Sequence, residues 1–454
     1  MRKAVSFGVI WLVATAMLSA QVQPGSQKVL ALKEAVQIAL DKNFTVKQAQ
    51  NNLESAQTAV VAAYGNFLPT LNLNGSWNWS SGQSFLPNGT ALPTSNQRSI
   101  NSSINSSITL FDGFSNTSTL SRAVSTSVAT EYTLDRTRQN LINKIQTDYY
   151  EVLRTERLVK VAEETVKYDE KQLDKVKETA RLGSASIVNV YQQQAQFGSD
   201  DAALVQARNT YDIAKANLLA DISVEVSEDY VIQDSSIPEE VDRPEFEVLQ
   251  NLARDFQGLA REALDNRLDF LSAREQYNAA EADVTASRSG YFPSITAGLS
   301  YGLTGSYNSI NKPDVNEFSD INNARSFGWS VRFSLPLFSG FQTNNSVQRS
   351  LVAKKNAEEG LRDTERRIQV EVKNNLLLMQ ASLKSYESAV NNLQLQDQNL
   401  KINQEKYNIG SGTLLDLLLA QNNYNNALSN KINSVYQYLK AKSLLELSLG
   451  RTKE

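Results

Sequence analysis

The chain has 454 residues, 45 Lys and Arg against 49 Asp and Glu, and a formal net charge of −4. It contains no Cys and no His, which removes thiol nucleophiles, disulfides, imidazole-dependent triads and the commonest zinc ligands. No Asp/Glu spacing fits a metal loop, the GxSxG at Gly298–Gly302 lies in an alternating segment of a chain with no His to serve it, and no basic stripe serves nucleic acid, so the chain is read as a non-enzyme without metal, cofactor or nucleic-acid partner.

Residues 1–20 carry Arg2 and Lys3, an apolar stretch from Ala4 to Leu18, and Ala20. This pattern predicts a secretory signal peptide. A membrane anchor is the other reading, but about 15 apolar residues fall short of the roughly 20 that span a bilayer. Nothing later in the sequence is apolar enough for a spanning helix, so any membrane passage must use β-strands.

From there the chain repeats itself. A first repeat over 21–222 and a second over 247–450 flank a connector, 223–246, that holds Pro238 and Pro244. Phe67-Leu68-Pro69 answers Tyr291-Phe292-Pro293 at an offset of 224. Phe111-Asp112-Gly113-Phe114 answers Phe338-Ser339-Gly340-Phe341, and Gly183 answers Gly410, both at 227.

Each repeat opens with a helical segment, about 30–65 and 247–289, and continues into two alternating segments. In the first repeat these lie at about 70–80, with Leu71, Leu73, Trp77 and Trp79, and at 100–111, with Ile100, Ile104, Ile108 and Leu110. In the second they lie at about 294–304, with Ile295, Leu299, Tyr301 and Leu303, and at 326–336, with Phe327, Trp329, Val331 and Phe333. Ser, Thr, Asn and Gly fill the other parity. Alternation over about ten residues is the signature of a barrel strand, and a soluble antiparallel sheet is the other reading. Four strands cannot enclose an interior, and open edges are not tolerated in lipid, so further copies of the chain must complete the sheet.

The nine prolines leave 94–237 and 337–454 free. Helices over 114–182 and 341–409 would each reach about 100 Å at ~1.5 Å per residue. Val372, Leu376, Met379, Leu383, Tyr386 and Val390 step by fours and threes, and Ile145, Val152, Val159, Val166, Leu173 and Ala180 recur every seven residues. That period predicts a coiled-coil seam. Gly183 and Gly410 end the long helices, and Ser186 and Thr413 start return helices, 186–222 and 413–449.

The most specific segment is Tyr407-Asn408-Ile409-Gly410-Ser411-Gly412-Thr413-Leu414-Leu415-Asp416, followed by Ala420-Gln421, with Gly183 to Asn189 as its counterpart. With the FLP and FxGF junctions it resembles the outer-membrane efflux protein (TolC) family over roughly 30–450. The resemblance implies a fold of transmembrane β plus α. It implies a homotrimer with a 12-stranded barrel in outer-membrane lipid and a periplasmic α-helical tunnel that closes at the hairpin tips. It further implies an exit duct of a tripartite efflux or type I secretion system, partnered by a periplasmic adaptor (membrane fusion) protein and an inner-membrane pump or ABC exporter. A trimeric membrane-anchored coiled-coil stalk or adhesin is the alternative, although such chains gather their strands at one terminus.

Carried onto this sequence, the resemblance gives Asp416 to the pore constriction. Gly183, Asn189, Tyr407, Gly410, Gly412 and Thr413 go to tip gating and adaptor contact. Gly412 stands where relatives have an arginine, Asn189 where they have an aspartate, and Leu419 where they have a second acid. The tips are thus expected to rely less on salt bridges and more on packing and Tyr407. Without a pore role, Asp416 would be an exposed turn residue.

Overall fold

The computed structural model describes residues 28–83, 85–91, 94–225, 230–234, 237–238, 240–241, 255–308 and 325–452. The expected signal segment, part of the 223–246 connector, residues 247–254 and parts of both strand-connecting loops lie outside them.

β1 (Lys28–Leu30) leads into α1 (Leu32–Lys42) and α2 (Phe44–Gly65). The single helical segment read at 30–65 is thus two helices. Neither Gly nor Pro marks the break; Asn43 makes it, its extended backbone ending α1 and its side chain accepting from Thr45 N at 2.8 Å to cap α2. β2 (Thr70–Gly82) and β3 (Ser95–Phe111) follow, then α3 (Ser115–Arg181, 67 residues) and α4 (Ile187–Asp221, 35 residues). In the connector, β4 (Tyr230–Ile232) pairs in parallel with β1. The second repeat runs through α5 (Phe256–Asn266), α6 (Leu268–Arg288), β5 (Ser294–Asn308), β6 (Arg325–Ser334), α7 (Gln342–Asn408, 67 residues) and α8 (Leu414–Ser448, 35 residues).

β2, β3, β5 and β6 form one antiparallel sheet in the order β2-β3-β5-β6. Its register aligns the parities: Leu73 faces Ile104, Ile104 faces Tyr301, and Tyr301 faces Phe327. One face therefore carries the apolar side chains of all four strands, and the other carries residues such as Asn74, Ser103, Gly302 and Ser326. Among the described residues nothing covers the apolar face, with Leu73 74% and Trp329 73% exposed, and both edges, β2 and β6, are unpaired. Among the described residues no helix is long and apolar enough to cross a membrane.

Each strand-to-helix junction is a sharp corner. Gly113 and Phe114 have φ of 69° and 71°, and Gly340 and Phe341 have 58° and 66°. A phenylalanine in the left-handed region is strained, and ring packing offsets the strain. Phe114 meets Phe111 edge-on at 5.5 Å, and Phe341 meets Phe338 at 5.7 Å.

Below the corners the helices form one layer. α3 packs on α2, α4, α6 and α8, while α7 packs on α6 and α8. The short helices are stacked end to end along the long ones. Asn43 Nδ2, at the start of α2, donates to the carbonyl of Asp221, the last residue of α4, at 3.0 Å. Beyond α8, Arg451 pairs with Glu262 of α5 at 2.6 Å and Gly450 lies against Asn266, the last residue of α5, which sets the end of α8 at the α5–α6 break. α2 with α4, and α6 with α8, thus each run beside most of the length of one long helix.

The main core lies at these junctions. Ile145, Tyr149 and Val152 of α3, Leu218 of α4, Ile368, Val372 and Leu376 of α7 and Tyr438 of α8 belong to one buried cluster. The heptad seam of α7 is buried from Val372 to Tyr386 and half-buried at Val390 and Leu393. Glu151 of α3 is held down to about 2 by Arg154 and then by Lys440 of α8, at 2.5 Å, which ties the two repeats together.

Candidate functional site at the hairpin tips

Both long helices end in the same backbone motif. Gly183 and Gly410 each have φ of 77°. Beyond them, Ser184 N donates to Thr179 O and Ser411 N to Lys406 O, each at 2.9 Å. These six-residue closures satisfy carbonyls that the helix end leaves open. Gly412 N also donates to Lys406 O at 3.0 Å, and a Cβ at 412 would lie 3.0 Å from Lys406 Cβ. The glycine at this position therefore permits a close turn that an arginine would have to displace.

The return helices start differently. Ser186 Oγ accepts from Val188 N at 3.2 Å, and Asn189 contributes only its backbone N–H, bonded to Ser186 O at 3.0 Å. Thr413 and Asp416 form a reciprocal capping box. Asp416 N donates to Thr413 Oγ1 at 3.1 Å, and Asp416 Oδ2 accepts from Thr413 N at 3.2 Å and from the Thr413 hydroxyl at 2.7 Å. These bonds, with a smaller contribution from Lys406, hold the Asp416 carboxyl below the usual carboxylate range. Asp416 is exposed in the single chain.

Tyr407 is half-buried against the small core of Leu173, Val176, Val190 and Leu414, where the two hairpins meet. Burial pushes its hydroxyl up. Within one protomer Tyr407 and Asn189 share no hydrogen bond. Lys175 of α3 makes the link instead, with Nζ 2.9 Å from Asn408 Oδ1 and 5.7 Å from the centre of the Tyr407 ring. Lys175 escaped the sequence reading because one lysine on a long charged helix carries no mark of its partner. Among the described residues no group of three or more His, Cys, Asp or Glu side chains is arranged to hold a metal ion.

The profile of the outer membrane efflux protein family matches residues 35–221 and 259–451, one match for each repeat. The outer membrane protein TolC of Salmonella enteritidis is 24% identical over 429 residues, covering 93% of this chain and 82% of that protein. The solvent efflux pump outer membrane protein SrpC of Pseudomonas putida is 26% identical over 313 residues, 68% of this chain and 61% of that protein. In fold, the chain matches the outer membrane protein VceC of Vibrio cholerae with a TM-score of 0.76 at 18% identity, covering 92% of this chain and 96% of that one. A bare four-stranded sheet set on a layer of helices about 100 Å long, doubled in sequence and matched in both halves, identifies this chain as a member of the outer membrane efflux protein family, a channel-type protein of the outer membrane with its helical part in the periplasm.

Proposed function

We infer that three copies of the chain form the exit duct of a tripartite efflux or type I secretion system. The observation that carries this reading is the sheet with two free edges and one bare apolar face. In lipid such a sheet must close on itself, and four strands are too few, so twelve from three copies make the barrel. The helical layers of the same three copies would enclose the periplasmic passage. The hairpin tips would meet a periplasmic adaptor and, through it, an inner-membrane pump or ABC exporter. Gly183, Asn189, Tyr407, Gly410, Gly412 and Thr413 would form that movable end, and the three Asp416 carboxylates would stand at one level of the pore, where such rings favour cations. The chain supplies no energy and no chemistry of its own; it offers a polar path.

The internal repeat supplies a test of closure. β3 pairs with β5 inside the chain, with Ser103 opposite Gly302 and Ile104 opposite Tyr301. Shifted by the repeat offsets of 227 and 224, these pairs become Ser330 opposite Asn78, and Val331 opposite Trp77, between β6 of one copy and β2 of the next. Cysteines at Asn78 and Ser330, in a chain with none of its own, should cross-link into a covalent trimer. Cross-linking only into dimers or open ladders would overturn the closed trimer. Val331→Arg on the apolar face should impair assembly by ~2–4 kcal/mol if that position lies near the bilayer centre. Conductance of the purified protein in planar bilayers separates a duct from a stalk.

A further inference from the structure

The interior of the first hairpin, between α3 and α4, holds a polar cluster that closes no helix end and joins no ion pair. Asp169 of α3 is 1% exposed and Gln193 of α4 is 0% exposed. Gln193 Nε2 donates to Asp169 Oδ1 at 3.3 Å. Asp169 Oδ2 and Gln193 Oε1 are both buried without a hydrogen-bond partner. Asp200, two turns further along α4, is the second carboxyl facing Asp169, and its own Oδ2 accepts from Gln196 at 2.8 Å. A buried carboxylate without a cation is costly, and a second carboxylate beside it raises the cost.

The surroundings supply no compensating charge. On α3, Tyr168 turns its hydroxyl to Gln172 at 3.0 Å. Glu170 and Lys171 are exposed. Lys175 is committed to Asn408 and the ring of Tyr407 on α7. On α8 the neighbour is Asn422, 3.4 Å from Gln196, and that helix carries no charge between Asp416 and Lys431. Burial first, and Asp200 second, push the Asp169 carboxyl up to about 7. The second hairpin has no acid pair there: at the repeat offset of 227, Asp169, Gln193 and Asp200 become Gln396, Ala420 and Ala427, and although Gln396 Oε1 is also buried without a partner, an amide carries no charge to titrate.

We propose that Asp169, Gln193 and Asp200 form a proton-operated clasp between α3 and α4, closed when Asp169 carries a proton and loosened when that proton leaves to solvent. A proton on Asp169 turns two mutually repelling acceptors into a donor and an acceptor. Its loss leaves the buried Asp169 carboxylate without a cation beside the half-buried Asp200, and parting the helices rehydrates it. Packing with two discrete arrangements converts that local charge change into movement of the hairpin. The clasp lies within one protomer, so it can be measured whether or not the tips close a pore.

The test uses the full chain in detergent, with Lys177→Cys and Gln192→Cys carrying spin labels on the exposed faces of α3 and α4. The expected result is one narrow distance at about pH 5 and a longer or broader distribution at about pH 9, with a midpoint near neutrality. Asp169→Asn should keep the narrow distance at both values. Asp200→Asn should move the midpoint down by a pH unit or more, because the repelling neighbour is gone. An infrared carboxylic-acid band that disappears over the same range, and is missing in Asp169→Asn, would identify the titrating group. A parent distribution that is the same at both values, or a pH dependence that survives Asp169→Asn, overturns the clasp. Should Asp169→Asn not fold, an unchanged midpoint in Asp200→Asn overturns it equally.

Discussion

The hairpins α3–α4 and α7–α8 have the same lengths, the same left-handed glycine and the same closing hydrogen bonds, yet their interiors and starts are made of different chemistry. The first encloses Asp169 and Gln193 and begins its return helix at a lone Ser186 cap. The second encloses Ala420 and Ala427 and begins with a complete capping box. Backbone geometry in these hairpins is set by glycine, cap position and helix length. The residues between are free to diverge, so two copies of one shape can answer to different signals.

The largest expected difference lies at the corners above the hairpins. A Cβ on Gly113 would sit 2.7 Å from Phe292 Cβ and 2.8 Å from Ser289 O, whereas Gly340 has nothing within 4 Å. Gly113→Ala should cost about 3 kcal/mol, roughly half from the left-handed backbone and half from the collision. By the repeat offset, the space beside Gly340 is where Leu68 of a neighbouring copy would stand in place of Phe292. Gly340→Ala, with φ of 58° but no collision inside the chain, should therefore cost the protomer only the backbone half and also reduce the yield of trimer. Thermal unfolding and the size of the purified assembly separate the two effects. Equal loss of protomer fold in both variants would break the comparison.

The stacking points of the short helices differ next. Lys144 of α3 pairs with Asp221 at the end of α4, and at the repeat offset its counterpart is the oppositely charged Glu371, which pairs with Arg267 at 2.7 Å. The Arg267 side chain is 4% exposed and the Lys144 side chain 52%. Arg267→Met should destabilise by about 2 kcal/mol. The figure sits below that of a fully buried pair because Asp269 and Glu371 keep solvent contact, and Arg136, held down by burial and by Arg267, gains when Arg267 goes. Lys144→Met should cost under ~1 kcal/mol. Chemical denaturation of the two variants tests the order.

How much of this was visible in the sequence depends on the kind of residue. Alternation and heptads mark strands and seams wherever apolar side chains punctuate them, as at Leu71–Trp79 and Val372–Tyr386. β3 begins at Ser95, five residues before its first apolar residue, because backbone pairing with β2 needs no apolar side chain. The breaks at Asn43 and Arg267 were hidden for a related reason: the partners that fix them, Asp221 and Glu371, lie far along the chain. At the tips, glycine and cap residues are local signals and could be read directly. Asp169 could not, since an acid on a charged helix looks solvated until α4 is laid over it.

pH should separate the hairpins with opposite signs. Asp169 keeps a proton in the folded hairpin that the unfolded chain has lost, so its contribution favours folding in acid and declines as pH rises from about 4 to about 7. Asp416 is shifted the other way. Its contribution is present above the ordinary carboxylate range and is lost as pH falls through its lowered value. Amide hydrogen exchange, corrected for its intrinsic pH dependence, should slow at Thr179–Ser184 on acidification and quicken at Asp416. Parallel changes at both tips would contradict the assignment.

The smallest effect comes from exchanging the caps. Asn189 and Asp416 occupy the same place, three residues after the capping Ser186 and Thr413. Asn189→Asp would let a carboxylate reach back to the Ser186 N–H and place a negative charge on the first turn of α4, which gains a few tenths of a kcal/mol. The reciprocal Asp416→Asn keeps an amide oxygen able to accept from Thr413 and loses only the charge, so the turn should survive. What should change is the ring of three carboxylates inferred for the trimer. In planar bilayers Asp416→Asn should weaken cation selectivity and block by multivalent cations, and Asn189→Asp should strengthen both only if the first hairpin also lines the passage. Unchanged selectivity in Asp416→Asn would mean that this carboxylate serves the turn alone. The difference between the two caps would then be a matter of helix starts, with no consequence for what passes between them.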